Sequence, residues 1–173
     1  PGPATEAKHS ESPEPAAGST RTAASGVPPK VQINFTDPDS RIMRGPGKSW
    51  VQAYNVQIAV DSAYQVIVHT AVTAQPADAP HLIPMIQGVR ARMGANPCRC
   101  LADAGFFSEE NVAFLLDQGI EPFIAANKQR HGHVPPPPPK GRIPKHLSAR
   151  ERMRRKLATR RGRRIYGQRK AVV

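Results

Sequence analysis

The aspartate in Leu101-Ala102-Asp103-Ala104-Gly105-Phe106 has the setting that points most directly to chemistry. The short, mostly apolar run from Cys98 to Ala102 reads as a strand that ends at Asp103, and in open α/β sheets functional groups gather at the carboxyl ends of strands. A carboxylate so placed can bind a metal ion. A lone aspartate before a turn also serves as a local cap, and by spacing alone that is the commoner role. Two-metal phosphoryl chemistry needs several carboxylates converging on a pair of cations. The other loop acids do not announce such a group: Asp37 and Asp39 read as turn residues, Asp61 as the closure of a hairpin, and Asp78 as a helix N-cap. Cys98-Arg99-Cys100 and His131-Gly132-His133 are spaced too closely for a structural zinc pair, so Cys100 reads as a small core residue and the histidines as part of a basic loop.

The second chemical feature is a concentration of positive charge. The formal net charge is +12, but residues 1–127 hold 9 Lys/Arg against 12 Asp/Glu, whereas residues 128–173 hold 16 Lys/Arg and the single acid Glu151. The stretch Ser148 to Arg164 carries Arg150, Arg152, Arg154, Arg155, Lys156, Arg160, Arg161, Arg163 and Arg164, with Met153 and Leu157 as its apolar seam. The first half is expected to be helical. A polycation of this kind attracts nucleic acid because each neutralised phosphate releases counterions, and such contacts position DNA without reading its sequence. The alternative is a helix that packs through Met153 and Leu157 and leaves its charges in solvent.

These residues need a scaffold, and the chain supplies one only in part. Residues 1–30 are Pro, Ala, Ser, Thr, Gly and scattered charge with no periodicity, which reads as a disordered linker. Val31 to Phe35 alternates apolar and polar and runs into a turn at Thr36-Asp37-Pro38-Asp39-Ser40. Ser49 to Val60 and Gln65 to Thr73 read as two strands of an antiparallel hairpin, the first with one buried face. Leu82, Met85, Ile86, Val89 and Met93 lie on one face of a helix from Ala79 to Met93. Ser108 is placed as the N-cap of a second helix that Gly119 ends, and Glu121 to Ala126 reads as a buried strand one βαβ step after the first. The succession is an α/β pattern with a mixed sheet and flanking helices. Two cysteines are too few for a secreted disulfide scaffold, no apolar run is long enough to span a bilayer, and the N-terminus has no export signal, so a cytoplasmic location is expected and a membrane partner is not. The chain opens on Pro1 rather than Met, as a partial sequence would.

The order of several motifs resembles the DDE transposases of bacterial insertion sequences. Thr36-Asp37-Pro38-Asp39-Ser40-Arg41-Ile42-Met43 is followed by Gln52 to Asp61 (Gln-Ala-Tyr-Asn-Val-Gln-Ile-Ala-Val-Asp), then by Val72-Thr73, Asp78 and Leu82-Ile83-Pro84-Met85, and then by Leu101 to Asn111 (Leu-Ala-Asp-Ala-Gly-Phe-Phe-Ser-Glu-Glu-Asn). Gly162, Tyr166, Arg169 and Lys170 resemble the stretch just before the family's last acid, which adds Arg169 and Lys170 to the candidate DNA-binding residues. The resemblance implies an RNase H-like fold in which three carboxylates bind magnesium and drive DNA strand cleavage and strand transfer. The second of the three falls on Asp103, which is thereby implied as both catalytic residue and metal ligand. The first has no match in residues 1–30, and the last is expected just beyond Val173. The resemblance therefore implies an incomplete domain: a partial catalytic domain over residues 31–130, a Pro-rich basic linker over 131–147 and a basic helical segment of the same domain over 148–173. Transposon ends and target DNA are the implied partners, with self-association in a transpososome. Activity from this chain alone is not expected, and the alternative is a noncatalytic nucleic-acid-binding remnant acting through its basic segment.

Overall fold

The computed structural model describes residues 33–45, 47, 49–127, 140–144 and 146–171. The expected N-terminal linker, His131, His133 and most of the Pro-rich linker lie outside the described residues.

Among the described residues, three small two-stranded sheets form where one mixed sheet was expected. Strands β1 (Arg41–Arg44) and β2 (Trp50–Ala53) pair antiparallel, and β3 (Asn55–Val60) pairs antiparallel with β4 (Ile67–Thr73). Strands β5 (Arg99–Ala102) and β6 (Glu121–Ile124) are parallel, with Leu101 opposite Phe123 and Ala102 opposite Ile124. No strand among the described residues joins β3–β4 to β5–β6, so each ladder stops at two. The expected first strand from Ser49 to Val60 is broken after Ala53, and its two halves belong to different hairpins.

The β3–β4 hairpin closes as its sequence predicts. The Asp61 carboxylate accepts the backbone N–H groups of Ala63 and Tyr64 at 3.1 and 2.9 Å, which is an Asx-type turn, and Gln65 takes a positive φ. The buried face is the opposite of the apolar one. Gln57 is 4 % exposed, whereas Val56 and Ile58 are more than half exposed. Gln57 can occupy the inner face because its amide hydrogen-bonds to Asn55 and Asp78, which removes the penalty of an unpaired buried polar group.

Helix α1 (Leu82–Met93) follows a 3-10 turn at Ala79–His81 and ends at Gly94 in the left-handed conformation. Of the five residues the periodicity assigns to one face, Leu82, Met85, Ile86 and Val89 are buried, whereas Met93 at the helix end is exposed. Helix α2 (Glu109–Asp117) starts at Ser108, whose side chain accepts the Asn111 N–H, with Glu109 and Glu110 in the first turn where the helix dipole favours acids.

The basic segment is helical almost throughout rather than for its first half. Helices α3 (Ala149–Ala158) and α4 (Arg160–Gly167) meet at Thr159, whose extended backbone ends α3 and whose hydroxyl accepts the Gly162 N–H to start α4. The segment is not a free tail, because Met153 joins Leu82, Ile86, Val112, Leu115, Ile120, Ile124 and Ala126 in one apolar core, with Leu157 packed against it. Among the described residues no helix is long and apolar enough to cross a membrane.

Candidate active site

Strands β5 and β6 run parallel and end together, at Ala102 and Ile124, and the Ala125 N–H donates to the Ala102 carbonyl at 3.3 Å. Asp103 is the next residue after β5 and is exposed. Its Oδ1 accepts the Gly105 N–H at 2.8 Å, so Asp103 caps the 3-10 turn at Ala104–Phe106. That cap uses one oxygen. Among the described residues the other has no hydrogen-bond partner, so capping and ligand binding are compatible at this position.

Asp78 does not play the part its sequence position suggests. It stands at the start of the 3-10 turn at Ala79–His81 but makes no side-chain cap. Its Oδ1 instead accepts the amides of Asn55 at 2.8 Å and Gln57 at 3.0 Å. Its Oδ2 lies against Gly105, where a Cβ would overlap it and would also stand 3.2 Å from Asp103 Oδ1. Asp37 accepts the Tyr54 hydroxyl, a hydrogen bond that raises the Tyr54 pKa and leaves Asp37 in the turn assigned to it. The Cys100 thiol packs against the apolar core and is pushed up to about 11 by burial.

The basic residues divide by what they touch. Arg150 stacks over Phe107, with 4.9 Å from guanidinium carbon to ring centroid, and donates to the Ala126 carbonyl at 3.0 Å. It lines a cleft of about 250 Å³ with Phe107, Ala126, Asn127 and Ala104, the residue that follows Asp103 in the chain. Lys156 and Arg161 are engaged at the other end of β6. Lys156 sits 4.1 Å over the Phe123 ring, donates to the Pro122 carbonyl at 2.9 Å and pairs with Glu121 at 3.1 Å. Arg161 holds Glu121 with two hydrogen bonds of 2.6 and 2.8 Å, and Arg99 lies 3.6 Å away. Arg161 first, and then Lys156, holds the Glu121 carboxyl down at about 2 against the opposing effect of burial. Burial lowers the Lys156 pKa and outweighs the pull of Glu121. Arg152, Arg154, Arg155, Arg160, Arg163, Arg164 and Lys170 are exposed.

Arg169 and Tyr166 pack on each other at the end of the basic segment. The Arg169 guanidinium lies 5.3 Å from the Tyr166 ring centroid, and its Nε is buried without an acceptor among the described residues. The Tyr166 pKa is raised by burial, opposed by Arg169 and helped by the charge of Asp103, which places the phenol within electrostatic range of that carboxylate. The residues that motif reasoning did not assign to the site are Asn55, Gln57, Asn111 and Tyr166. Asn55 and Gln57 could have been found, since residues two apart on a strand share a face and two amides on one face need a common acceptor.

No group of three or more His, Cys, Asp or Glu residues able to hold a metal ion forms among the described residues. A model of the family described as transposase DDE domain matches residues 30–172, a span that includes Asp103 and both basic helices. No curated protein and no solved structure matched. The chain belongs to the transposase DDE domain family, whose substrate is DNA and whose members generally use divalent metal ions.

Proposed function

We propose that this chain contributes to DNA strand cleavage and strand transfer, with Asp103 as a catalytic residue and a ligand of Mg²⁺. The observation that carries the reading is an exposed carboxylate at the carboxyl end of a parallel strand, fixed through one oxygen and open at the other, inside a chain of this family. When bound, the cation would stabilise the attacking and leaving oxygens of an in-line displacement at phosphorus. The domain would be RNase H-like, a reading supported by the β3–β4 hairpin followed by the parallel β5–β6 step.

Arg152, Arg154, Arg155, Arg160, Arg163, Arg164 and Lys170 supply an exposed basic surface for DNA phosphates. Arg150 would act closer to the chemistry, at the cleft it lines with Ala104, the residue that follows Asp103 in the chain. Lys156 and Arg161 would contribute by holding α3 and α4 on β6 rather than by touching DNA. Self-association on transposon ends follows from the same reading. Because no group of three or more candidate metal ligands forms among the described residues, cleavage by the isolated chain is expected to be undetectable.

Two measurements test this. Transposition of the element in cells, driven by its own transposase carrying Asp103→Ala, is expected to fall at least about a thousandfold, as expected for a residue needed to stabilise the transition state. DNA binding by the purified Asp103→Ala chain is expected to stay within about twofold of wild type, since phosphate contacts dominate affinity. Undiminished transposition would reject Asp103 as a catalytic residue. It would leave the alternative, a DNA-binding remnant acting through its basic helices, which the exposed arginines of α3 and α4 favour.

A further inference from the structure

We infer that Asp78 is a positioning residue for Asp103: held by Asn55 and Gln57, its carboxylate is the wall against which the turn from Asp103 to Gly105 is set. The inference rests on the assignment of Asp103 as a metal ligand. It also predicts a structural effect that can be measured without it.

Asp78 occupies a helix-start position and yet its side chain caps none of the turn's N–H groups. Its Oδ1 is instead fixed by two amide donors, at 2.8 Å from Asn55 and 3.0 Å from Gln57. Gln57 also donates to Asn55 Oδ1 at 2.9 Å, so the three side chains form a closed triangle with one of its members 4 % exposed. Asn55 is tied further to the Gln75 carbonyl at 3.3 Å. A carboxylate held this way cannot rotate without breaking several hydrogen bonds, and its second oxygen is aimed at the α-carbon of Gly105.

Glycine at 105 is what lets the two carboxylates approach. Any Cβ there would overlap Asp78 Oδ2 while standing in tight contact with Asp103 Oδ1. The Gly105 N–H meanwhile holds Asp103 Oδ1. A second link binds the same two segments. The Asn111 amide, 2 % exposed, donates to the Ala79 carbonyl at 2.7 Å and to the Phe106 carbonyl at 2.9 Å. Asp78 and its chain neighbour are thereby joined to two successive residues of the turn that follows Asp103, Gly105 and Phe106. The direction of the free Asp103 oxygen is set by strand β3, through Asp78 and Gly105.

The experiment uses the full 173-residue chain, labelled for NMR, with Mn²⁺ as the probe at Asp103 and amide exchange as the probe at Gly105. In Asn55→Ala, which removes one donor and keeps every charge, Gly105 N–H exchange is expected to accelerate about tenfold while amides of α3 are unchanged, because local openings differ in free energy across a fold. Gly105→Ala and Asp78→Ser are each expected to weaken Mn²⁺-induced broadening around Asp103 severalfold. In the double variant Gly105→Ala is expected to add nothing, because the group it displaces has gone. Unchanged Gly105 exchange in Asn55→Ala overturns the inference, as do independent, multiplying effects of Gly105→Ala and Asp78→Ser. If wild type shows no Mn²⁺ response at Asp103, the metal assignment fails, and the exchange result in Asn55→Ala alone decides whether Asp78 braces the turn.

Discussion

Removing the charge of Glu121 should make the chain less stable near neutral pH and abolish a specific part of its acid sensitivity. Glu121 opens β6 and receives Arg161 from α4, Lys156 from α3 and Arg99 from β5, so one carboxylate fastens three elements. Its folded pKa of about 2 compares with an unfolded value of about 4.3, a difference of roughly two units at about 1.36 kcal/mol each, or about 3 kcal/mol. The side chain is 29 % exposed, and solvent screening of such pairs reduces the contribution to about 1–2 kcal/mol. Because the folded pKa is depressed, this stability is present above pH 4.3 or so and is lost as pH falls toward 2. Urea unfolding followed by circular dichroism should give a Glu121→Gln variant about 1–2 kcal/mol less stable than wild type at pH 7, with the gap closing between about pH 5 and pH 2. Lys156 adds to the cost at neutral pH, since in the variant its half-buried ammonium keeps only the Pro122 carbonyl and the Phe123 ring. A wild-type minus variant difference that stays flat from pH 7 to pH 2 would refute the argument, as would a variant as stable as wild type at pH 7.

Gly162→Ala should destabilise the chain by about 1–3 kcal/mol, read as a lower Tm, because a Cβ at that position overlaps the Lys156 carbonyl at the α3–α4 junction. Thr159→Ala removes the hydroxyl that starts α4 and should cost about 1 kcal/mol in the same melting experiment. On DNA, Arg154→Ala and Arg155→Ala should each lower the slope of log affinity against log salt by about one, with no change in Tm. Arg161→Ala should do the reverse, lowering Tm with little effect on that slope, because its guanidinium is committed to Glu121.

Local signals carried much of this fold. The helix face of Leu82, Met85, Ile86 and Val89, the Ser108 cap and the Asp61 turn are set by residues within a few positions of one another, and each forms as its pattern indicates. The strand β1 was not legible, because Arg41-Ile42-Met43-Arg44 has no alternation and becomes a strand only by pairing with Trp50–Ala53. The buried face of β3 was not legible for a related reason: Gln57 lies inside and Val56 and Ile58 outside because the Gln57 amide has an acceptor in Asp78, 21 residues away. The basic segment shows the same limit on the functional side. Charge and helical spacing treat Lys156 and Arg161 like their neighbours, yet their acid partner Glu121 precedes Arg161 by 40 residues. Asp103 stands out in the sequence by its strand-end position and family motif, whereas the Asn55–Gln57–Asp78 triangle joins residues that only the folded chain brings together.

The role of Asp103 can be read directly from iron-mediated scission of the polypeptide. Fe²⁺ replaces Mg²⁺ at carboxylate sites and, with ascorbate and peroxide, breaks the backbone next to its ligands. The wild-type chain is expected to yield a dominant cut at or beside Asp103 that excess Mg²⁺ suppresses and that Asp103→Asn removes. A cut elsewhere in the chain, or a cut at Asp103 that persists in Asp103→Asn, would contradict the assignment of this carboxylate as a metal ligand.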